Sequence, residues 1–290
     1  MDRRTIFRGK LLPILLVAPQ LALTIVFFLW PAGQAIHEAL TATNAFGTAT
    51  IFVGLDNFTA LFTDPEYWQS VWRTLGFGAA VSFIAMFLGL FFASFADRNL
   101  RGQGWYRAML TWPYAMAPAL SAVVWVFLAD PQIGLIGRHL GQGWNYGLNG
   151  GQAMGLVIMA SAWKQVSYNF IFYLAAMQAI PRSLIEAATL DGAGGVVRLR
   201  TIIWPLLWPT TMFLLVVNLV YAAFDTFGTI YALTGGGPAG ATETLVVKVY
   251  EDGYIANDIG GSAAQSVALM VLVVTLVSLQ WRFIGQRRAP

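Results

Sequence analysis

Apolar runs of about twenty residues or more recur near 11–30, 74–96, 108–128, 153–178, 206–232 and 263–283. A helix needs about 20 such residues to cross the hydrocarbon core of a bilayer, so each run is of spanning length. Charged residues make up only 11% of the chain, against roughly a quarter in a soluble domain. That is too few to cover 290 residues with a water-facing surface, so lipid must be the solvent for much of the chain. The expectation is an all-α integral membrane protein of about six transmembrane helices. It reads as a single membrane domain over residues 1–290, because no 20–50-residue repeat, low-complexity tract or linker divides it. The net charge of +3 gives no case for nucleic acid. The absence of cysteine excludes disulfides and thiolate metal sites. His37 and His139 lie far apart and outside the apolar runs, so no metal site is expected.

The distribution of Lys and Arg sets an orientation, because short loops rich in positive charge stay on the cytoplasmic side. Arg3, Arg4, Arg8 and Lys10 precede the first run. Arg98, Arg101 and Arg107 lie between the second and third, Arg182, Arg198 and Arg200 between the fourth and fifth, and Arg282, Arg287 and Arg288 near the end. The intervening loops hold Arg73, Arg138 and Lys248 against nine carboxylates: Glu38, Asp56, Asp64, Glu66, Asp130, Glu243, Glu251, Asp252 and Asp258. Both termini are therefore expected in the cytoplasm. Trp30, Trp112, Trp204, Trp208 and Trp281 fall near the expected interfaces, as an aromatic belt would. The basic flank of the first run is also how a signal peptide begins, with cleavage near Ala35 as the competing reading. The run is too long for a typical signal core and five more follow, so an uncleaved first helix is expected. Pro13 and Pro19 in the first run, Pro113 and Pro118 in the third, and Pro205 and Pro209 at the foot of the fifth are expected to kink or end their helices. Membrane helices tolerate this where neighbours or a cavity satisfy the freed carbonyls.

The loop from Ile180 to Gly195 is more elaborate than a turn. Ser183 and Glu186 stand three apart, as a capping box requires. Pro181 and Ser183 would open a helix, Ala187 and Ala188 would support it, and Gly192 would end it in a left-handed conformation. The expected product is a helix of about two turns outside the bilayer, since it carries Arg182, Glu186 and Asp191. Leu184, Ile185 and Ala188 give it an apolar stripe, which would also suit an amphipathic helix resting on the lipid surface.

The spaced set Glu186-Ala187-Ala188, Asp191-Gly192-Ala193, Ile202-Ile203, Pro205 and Pro209 resembles the signature loop of inner-membrane permeases of binding-protein-dependent ABC importers. In that family the short helix is the coupling helix, which docks into a cleft of a cytoplasmic ATPase. Leu199 departs from the pattern, which usually has Phe there. Gly54-Leu55-Asp56-Asn57-Phe58, Asp64-Pro65, Trp125 with Phe127, Gly134-Leu135-Ile136, and Thr234-Gly235-Gly236-Gly237-Pro238 with Thr242 and Leu245 resemble the MalF-type sugar permease group. Within it, the segments Trp163–Phe170, Asn218–Tyr221, Phe224–Phe227 and Ser262–Ser266 are most similar to permease subunits of glycerol-3-phosphate (Ugp) importers. The resemblance implies passage of sn-glycerol-3-phosphate or a glycerophosphodiester across a bacterial inner membrane, or of a neutral sugar or polyol on nearly the same scaffold. It implies a second related permease subunit, two ATPase subunits and a periplasmic solute-binding protein as partners. Ser183, Glu186, Ala187, Ala188, Asp191 and Gly192 take the ATPase-coupling role.

No phosphate-binding G-x-x-x-x-G-K-[ST] loop is present, since Gly9-Lys10 is followed by Leu11 and lacks the earlier glycine. No zinc-protease or hydrolase motif appears either. The chain is thus expected not to be an enzyme and to bind no cofactor, with ATP and magnesium on the partner ATPase. A gradient-driven transporter is the rival class, and it would need titratable groups at mid-membrane. Lys164, some 16 Å into the fourth run, and Asp225, in the outer half of the fifth, meet that description. A charge at the centre of a bilayer helix costs about 2.5–3.5 kcal/mol on insertion scales. Both should therefore face a cavity with Gln165, Tyr168, Asn169, Asn218 and Tyr221, as candidates for the translocation path. They could pair with one another or serve an anionic solute. On the outer side, Thr234, Gly235, Gly236 and Pro238 form a glycine-rich segment entering a proline-set turn. The segment is expected to be flexible. The resemblance makes it a candidate contact for the binding protein, and the plainer reading is a tight connection.

Overall fold

The computed structural model describes residues 11–43, 50–97, 102–141 and 143–285. Arg3, Arg4, Arg8, Lys10, Arg98, Arg101, Arg287 and Arg288, on which the expected orientation partly rests, lie outside them. Described in chain order, helix α1 (Leu12–Ala39) is followed by a two-stranded antiparallel hairpin, β1 (Thr41–Thr43) and β2 (Thr50–Phe52), then α2 (Asp56–Thr63) and α3 (Pro65–Ala96). Helices α4 (Gln103–Ala115) and α5 (Pro118–Ala129) form a pair bent by 108°. Then come α6 (Leu135–Leu140), α7 (Gly150–Gln178), α8 (Arg182–Leu190), α9 (Gly195–Asp225), α10 (Phe227–Thr234), α11 (Leu245–Tyr250) and α12 (Ile259–Gly285).

Four of these, α1, α3, α9 and the Ile259–Gln280 stretch of α12, are long and apolar enough to cross a bilayer, and the bent pair makes a fifth. The fourth expected span is α7, whose 29 residues reach about 43 Å at helical rise. Its hydropathy is diluted by Lys164, Gln165, Ser167 and Asn169, each no more than 8% exposed. A helix surrounded by protein can carry such residues where a lipid-facing one cannot. The count is consistent with six spans.

Several boundaries differ from the hydropathy reading. The first helix runs on to Ala39 through a π-helical turn at Ile25–Leu29, and α3 starts at Pro65, nine residues before its apolar run. Pro205 and Pro209 do not end their helix. A π-helical turn at Leu199–Ile203 precedes them, and Pro205 sits in the first turn of the α-helical stretch that follows, where its missing N–H costs little. The break falls instead at Pro118, as expected for the third span.

The chain forms two compact units, residues 1–64 with 249–268, and residues 65–248 with 269–290. In the first, Asn57 Nδ2 donates to the carbonyls of Ala39 (3.0 Å) and Thr41 (2.9 Å), fastening α2 to the root of the hairpin. Gln265 Nε2 donates to Asp252 Oδ2 at 2.5 Å. No residue between Leu12 and Glu38 is buried. In the second, α3 and α7 pack along their lengths because Gly89 admits close approach. A Cβ there would lie 2.6 Å from the Cβ of Asn169 and 3.0 Å from the amide nitrogen of Phe170. One apolar cluster joins Phe77, Val81, Val157, Tyr221, Ile230 and Val247, and another joins Ala93, Phe170, Tyr173, Leu207 and Leu214. Gly89→Ala should therefore destabilise the detergent-solubilised protein by about 1–3 kcal/mol. Gly76→Ala, with no atom within 4 Å of the added carbon, should leave the thermal midpoint unchanged.

Candidate functional site

The break in the third span opens onto a cavity of about 570 Å³ lined by Tyr114, Pro118, Lys164, Gln165, Tyr168, Val216, Val217, Val220, Tyr221 and Asp225. Met116 and Ala117 are extended between the two helices, at ψ 139° and 144°, so the Met116 carbonyl needs a donor from outside its own helix. That donor is Lys164, whose Nζ lies 2.7 Å from the Met116 oxygen. Lys164 and Asp225 thus share the cavity, while the ammonium's hydrogen bond goes to a main-chain carbonyl and not to the carboxylate. Tyr114 and Tyr168 stack in a tilted arrangement across the cavity, with ring centroids 5.4 Å apart.

Five of the seven translocation-path candidates, Lys164, Gln165, Tyr168, Tyr221 and Asp225, line this cavity. Asn169 and Asn218 do not. Both are fully buried and bonded to each other. Asn169 Nδ2 donates to Asn218 Oδ1 at 2.9 Å, and Asn218 Nδ2 returns a bond to Asn169 Oδ1 at 3.0 Å. Tyr114, Met116 and Pro118 were not among the sequence candidates. The signal that could have found them is the Pro113–Pro118 spacing, since a broken span needs a donor for its freed carbonyl.

The loop after the fourth span forms α8, nine residues long. The capping box is absent. The helix begins at Arg182 with Pro181 as the capping residue, and no side chain caps it. Ser183 already stands inside the first turn, where its hydroxyl cannot serve as the cap. The stop is as expected. Gly192 is left-handed at φ +79°, the Gly192 N–H donates to Thr189 O at 3.1 Å, and the Ala193 N–H donates to Ala188 O at 2.9 Å. Those two bonds are a Schellman closure. Arg198 Nη1 donates to Thr189 Oγ1 at 2.6 Å, bracing α8 against the start of α9. Glu186, with Asp97, Arg107 and Arg182, lines a second cavity of about 560 Å³. In its wall, Gln103 Nε2 (2.8 Å) and Arg107 Nη2 (2.9 Å) both donate to the oxygen of Ala96, the buried last residue of α3.

The segment Thr234–Thr242 is a fixed turn, which corrects the expectation of flexibility. Gly237 N donates to Thr234 O, Thr242 N to Gly236 O and Thr242 Oγ1 to Gly237 O, and the hydroxyls of Thr234 and Thr242 lie 2.7 Å apart. The Gly237–Pro238 peptide is cis. Nearby, Lys248 and Glu243 approach to 3.8 Å. After α5, Asp130 Oδ1 accepts from the N–H groups of Gln132 and Ile133. The Ile133 bond, and then the Gln132 bond, hold its carboxyl below the ordinary carboxylate range. Stability from this turn is therefore present above the ordinary carboxylate pKa and lost as pH falls through the lowered one.

A cavity that holds Lys164 and Asp225 among spanning helices, with a braced helix at the foot of two of them, is an arrangement suited to a membrane permease. The chain belongs to the family described as the binding-protein-dependent transport system inner membrane component, whose model matches residues 85–289. It is a multi-pass inner-membrane protein of that family. It is 52% identical to the sn-glycerol-3-phosphate transport system permease protein UgpA of Brucella abortus biovar 1, over 98% of each chain. It is also 52% identical to the protein of that name in Agrobacterium fabrum, over 97% of each. In fold it is similar to a chain of a bacterial ABC transporter involved in the import of alginate, with a TM-score of 0.81, 19% identity, and coverage of 97% of this chain and 96% of that one.

Because Lys164 is bonded to Met116 and not to Asp225, Lys164→Met should lower the thermal midpoint. Adding Asp225→Asn should not restore it. Recovery of the midpoint in the double variant would show that the two charges depend on each other after all.

Proposed function

We propose that this chain is the membrane subunit through which an ATP-driven importer passes sn-glycerol-3-phosphate or a glycerophosphodiester into the cytoplasm. The observation that carries this is the 52% identity, over nearly the whole length of both chains, to permeases named for sn-glycerol-3-phosphate transport. The cavity supports it chemically. At about 570 Å³ it has room for a three-carbon phosphate ester. Lys164 supplies a positive charge, Asp225 a carboxylate that can accept from hydroxyls, and Gln165, Tyr168 and Tyr221 further polar groups. The proposed assembly adds a second related permease, two ATPase subunits that bind ATP and magnesium, and a periplasmic solute-binding protein. Both termini lie in the cytoplasm and residues 1–290 act as one membrane domain. Thr234, Gly235, Gly236 and Pro238 form part of the outer surface met by the binding protein.

Ser183, Glu186, Ala187, Ala188, Asp191 and Gly192 belong to the helix that seats in the ATPase. Gly192 holds a backbone conformation that L side chains rarely adopt, so Gly192→Asp should distort the closure while leaving membrane insertion intact. Reconstituted with its partners, that variant should hydrolyse ATP and lose at least about tenfold in uptake. Normal uptake would refute the coupling role. Uptake of labelled sn-glycerol-3-phosphate, competed by unlabelled glycerophosphodiester and by a neutral sugar, tests the solute. Competition by the neutral sugar alone would assign the chain a neutral polyol instead.

A further inference from the structure

The reciprocal amide pair Asn169–Asn218 takes no part in the cavity, carries no charge and is sealed from solvent on every side. Its place in the chain is what gives it meaning. Asn169 is on α7 and Asn218 on α9, the two spans that enter and leave the proposed coupling helix. The second N–H of Asn169 donates to Gln165 O at 2.8 Å, so this amide group is held by its own helix as well as by its neighbour. Gly89 of α3 lies against the Asn169 Cβ, closing the pair from a third side. Nearer the cytoplasmic end, Tyr173 Oη donates to Thr211 Oγ1 at 3.3 Å, a second polar tie between the same two spans. At the foot, Arg198 to Thr189 joins α9 to α8.

A push on a helix suspended between two spans moves both only if they are tied to one another. Apolar packing alone leaves helices free to slide, since lipid tails solvate their surfaces as well as a neighbour does. A reciprocal amide pair fixes both height and rotation, because a shift of one residue breaks two bonds at once in a place with no water to replace them. We infer that Asn169 and Asn218 are a positioning pair that locks α7, α8 and α9 into one lever, so that motion at the coupling helix reaches the cavity wall at Lys164, Gln165 and Tyr221 undiminished. This rests on the coupling role proposed for α8.

The test is the ratio of solute taken up to ATP hydrolysed in proteoliposomes holding the full importer and its binding protein. Asn169→Leu with Asn218→Leu removes both partners together and strands neither. The complex should assemble and hydrolyse ATP within about twofold of the wild type, while uptake per ATP falls about tenfold, within the range of measured coupling between sites. A role confined to folding would lower the thermal midpoint and leave that ratio alone, and an unchanged ratio overturns the inference. The chain has no cysteine, so Asn169→Cys with Asn218→Cys gives it two thiols that dioxygen, small and apolar enough to enter a sealed site, can oxidise to a bridging disulfide. The bridged protein should regain wild-type coupling, and this arm stands even if the Leu pair fails to assemble. Loss of uptake on bridging would mean that the two spans part during the cycle, which also overturns the lever. Gly192→Asp is measured alongside. Normal uptake there removes the coupling role itself, whereas an uncoupled Gly192→Asp beside an unchanged Leu pair removes the lever alone.

Discussion

A chain dissolved in lipid has to supply its own hydrogen-bond partners, and among the described residues α7 supplies three of the ties between spans. Along α7, Lys164 reaches Met116 on the broken third span, Asn169 reaches Asn218 on the fifth, and Tyr173 reaches Thr211 on the fifth. Each such bond between membrane helices contributes only about 0.6 kcal/mol on average and at most about 1.7. The stability they add is therefore modest. Their larger effect is to forbid alternatives, since removing one partner leaves a buried polar group with nothing to bind. The polar groups of α7 thus set the register of the helices around it.

The same requirement decides where the helices are irregular. The bend of 108° between α4 and α5 would expose main-chain carbonyls if it faced lipid. It sits instead against α7, where Lys164 fills the deficit and the remaining space becomes the cavity that Lys164 and Asp225 line. The π-helical turns at Leu199–Ile203 and Tyr221–Asp225 bracket the α-helical core of the fifth span, one before its prolines and one beside the cavity. Such turns keep main-chain bonds satisfied while changing helical phase. The bend is thus covered by protein and the Tyr221–Asp225 turn borders the cavity, whereas the π-helical turns at Ile25–Leu29 and Leu199–Ile203 hold no buried residue.

Hydropathy matches four helices and the bent pair, because a bilayer fixes the length of what crosses it, while the buried polar residues of α7 weaken that signal at the fourth expected span. It could not place their ends, since the first helix runs on to Ala39 and α3 begins at Pro65, both outside the apolar runs. The hairpin at Thr41–Phe52 was not expected at all, as its two strands are three residues each, too short for an alternating pattern to register. The Ser183–Glu186 spacing pointed to a cap that the fold does not use, because the helix gains its first turn at Arg182. Among the polar residues of the fourth and fifth spans, the sequence could not separate those facing the cavity from Asn169 and Asn218. Gln165 and Asn169 lie four apart on one helical face, and which of them meets a neighbour depends on the crossing of α7 with α9.

The apolar stripe of the coupling-helix loop had two readings from sequence, a helix on the lipid surface and a helix docked in a protein. The structure bears on the choice through rigidity. Leu184, Leu190, Val196 and Val197 are 46%, 89%, 80% and 52% exposed, while the helix beneath them is closed by the Gly192 turn and braced by Arg198. A helix that floats on lipid headgroups gains nothing from such bracing, because the surface it meets is fluid and adapts to it. A helix that must transmit force to two spans needs both an apolar face for its partner and a stiff mounting. Of the expected stripe Leu184 is exposed, Ile185 half-buried and Ala188 buried, and Leu190 with Val196 and Val197 of α9 adds exposed apolar surface. The Schellman closure, the Arg198–Thr189 bond and the tied spans above supply the stiff mounting. That combination fits the protein socket proposed for α8.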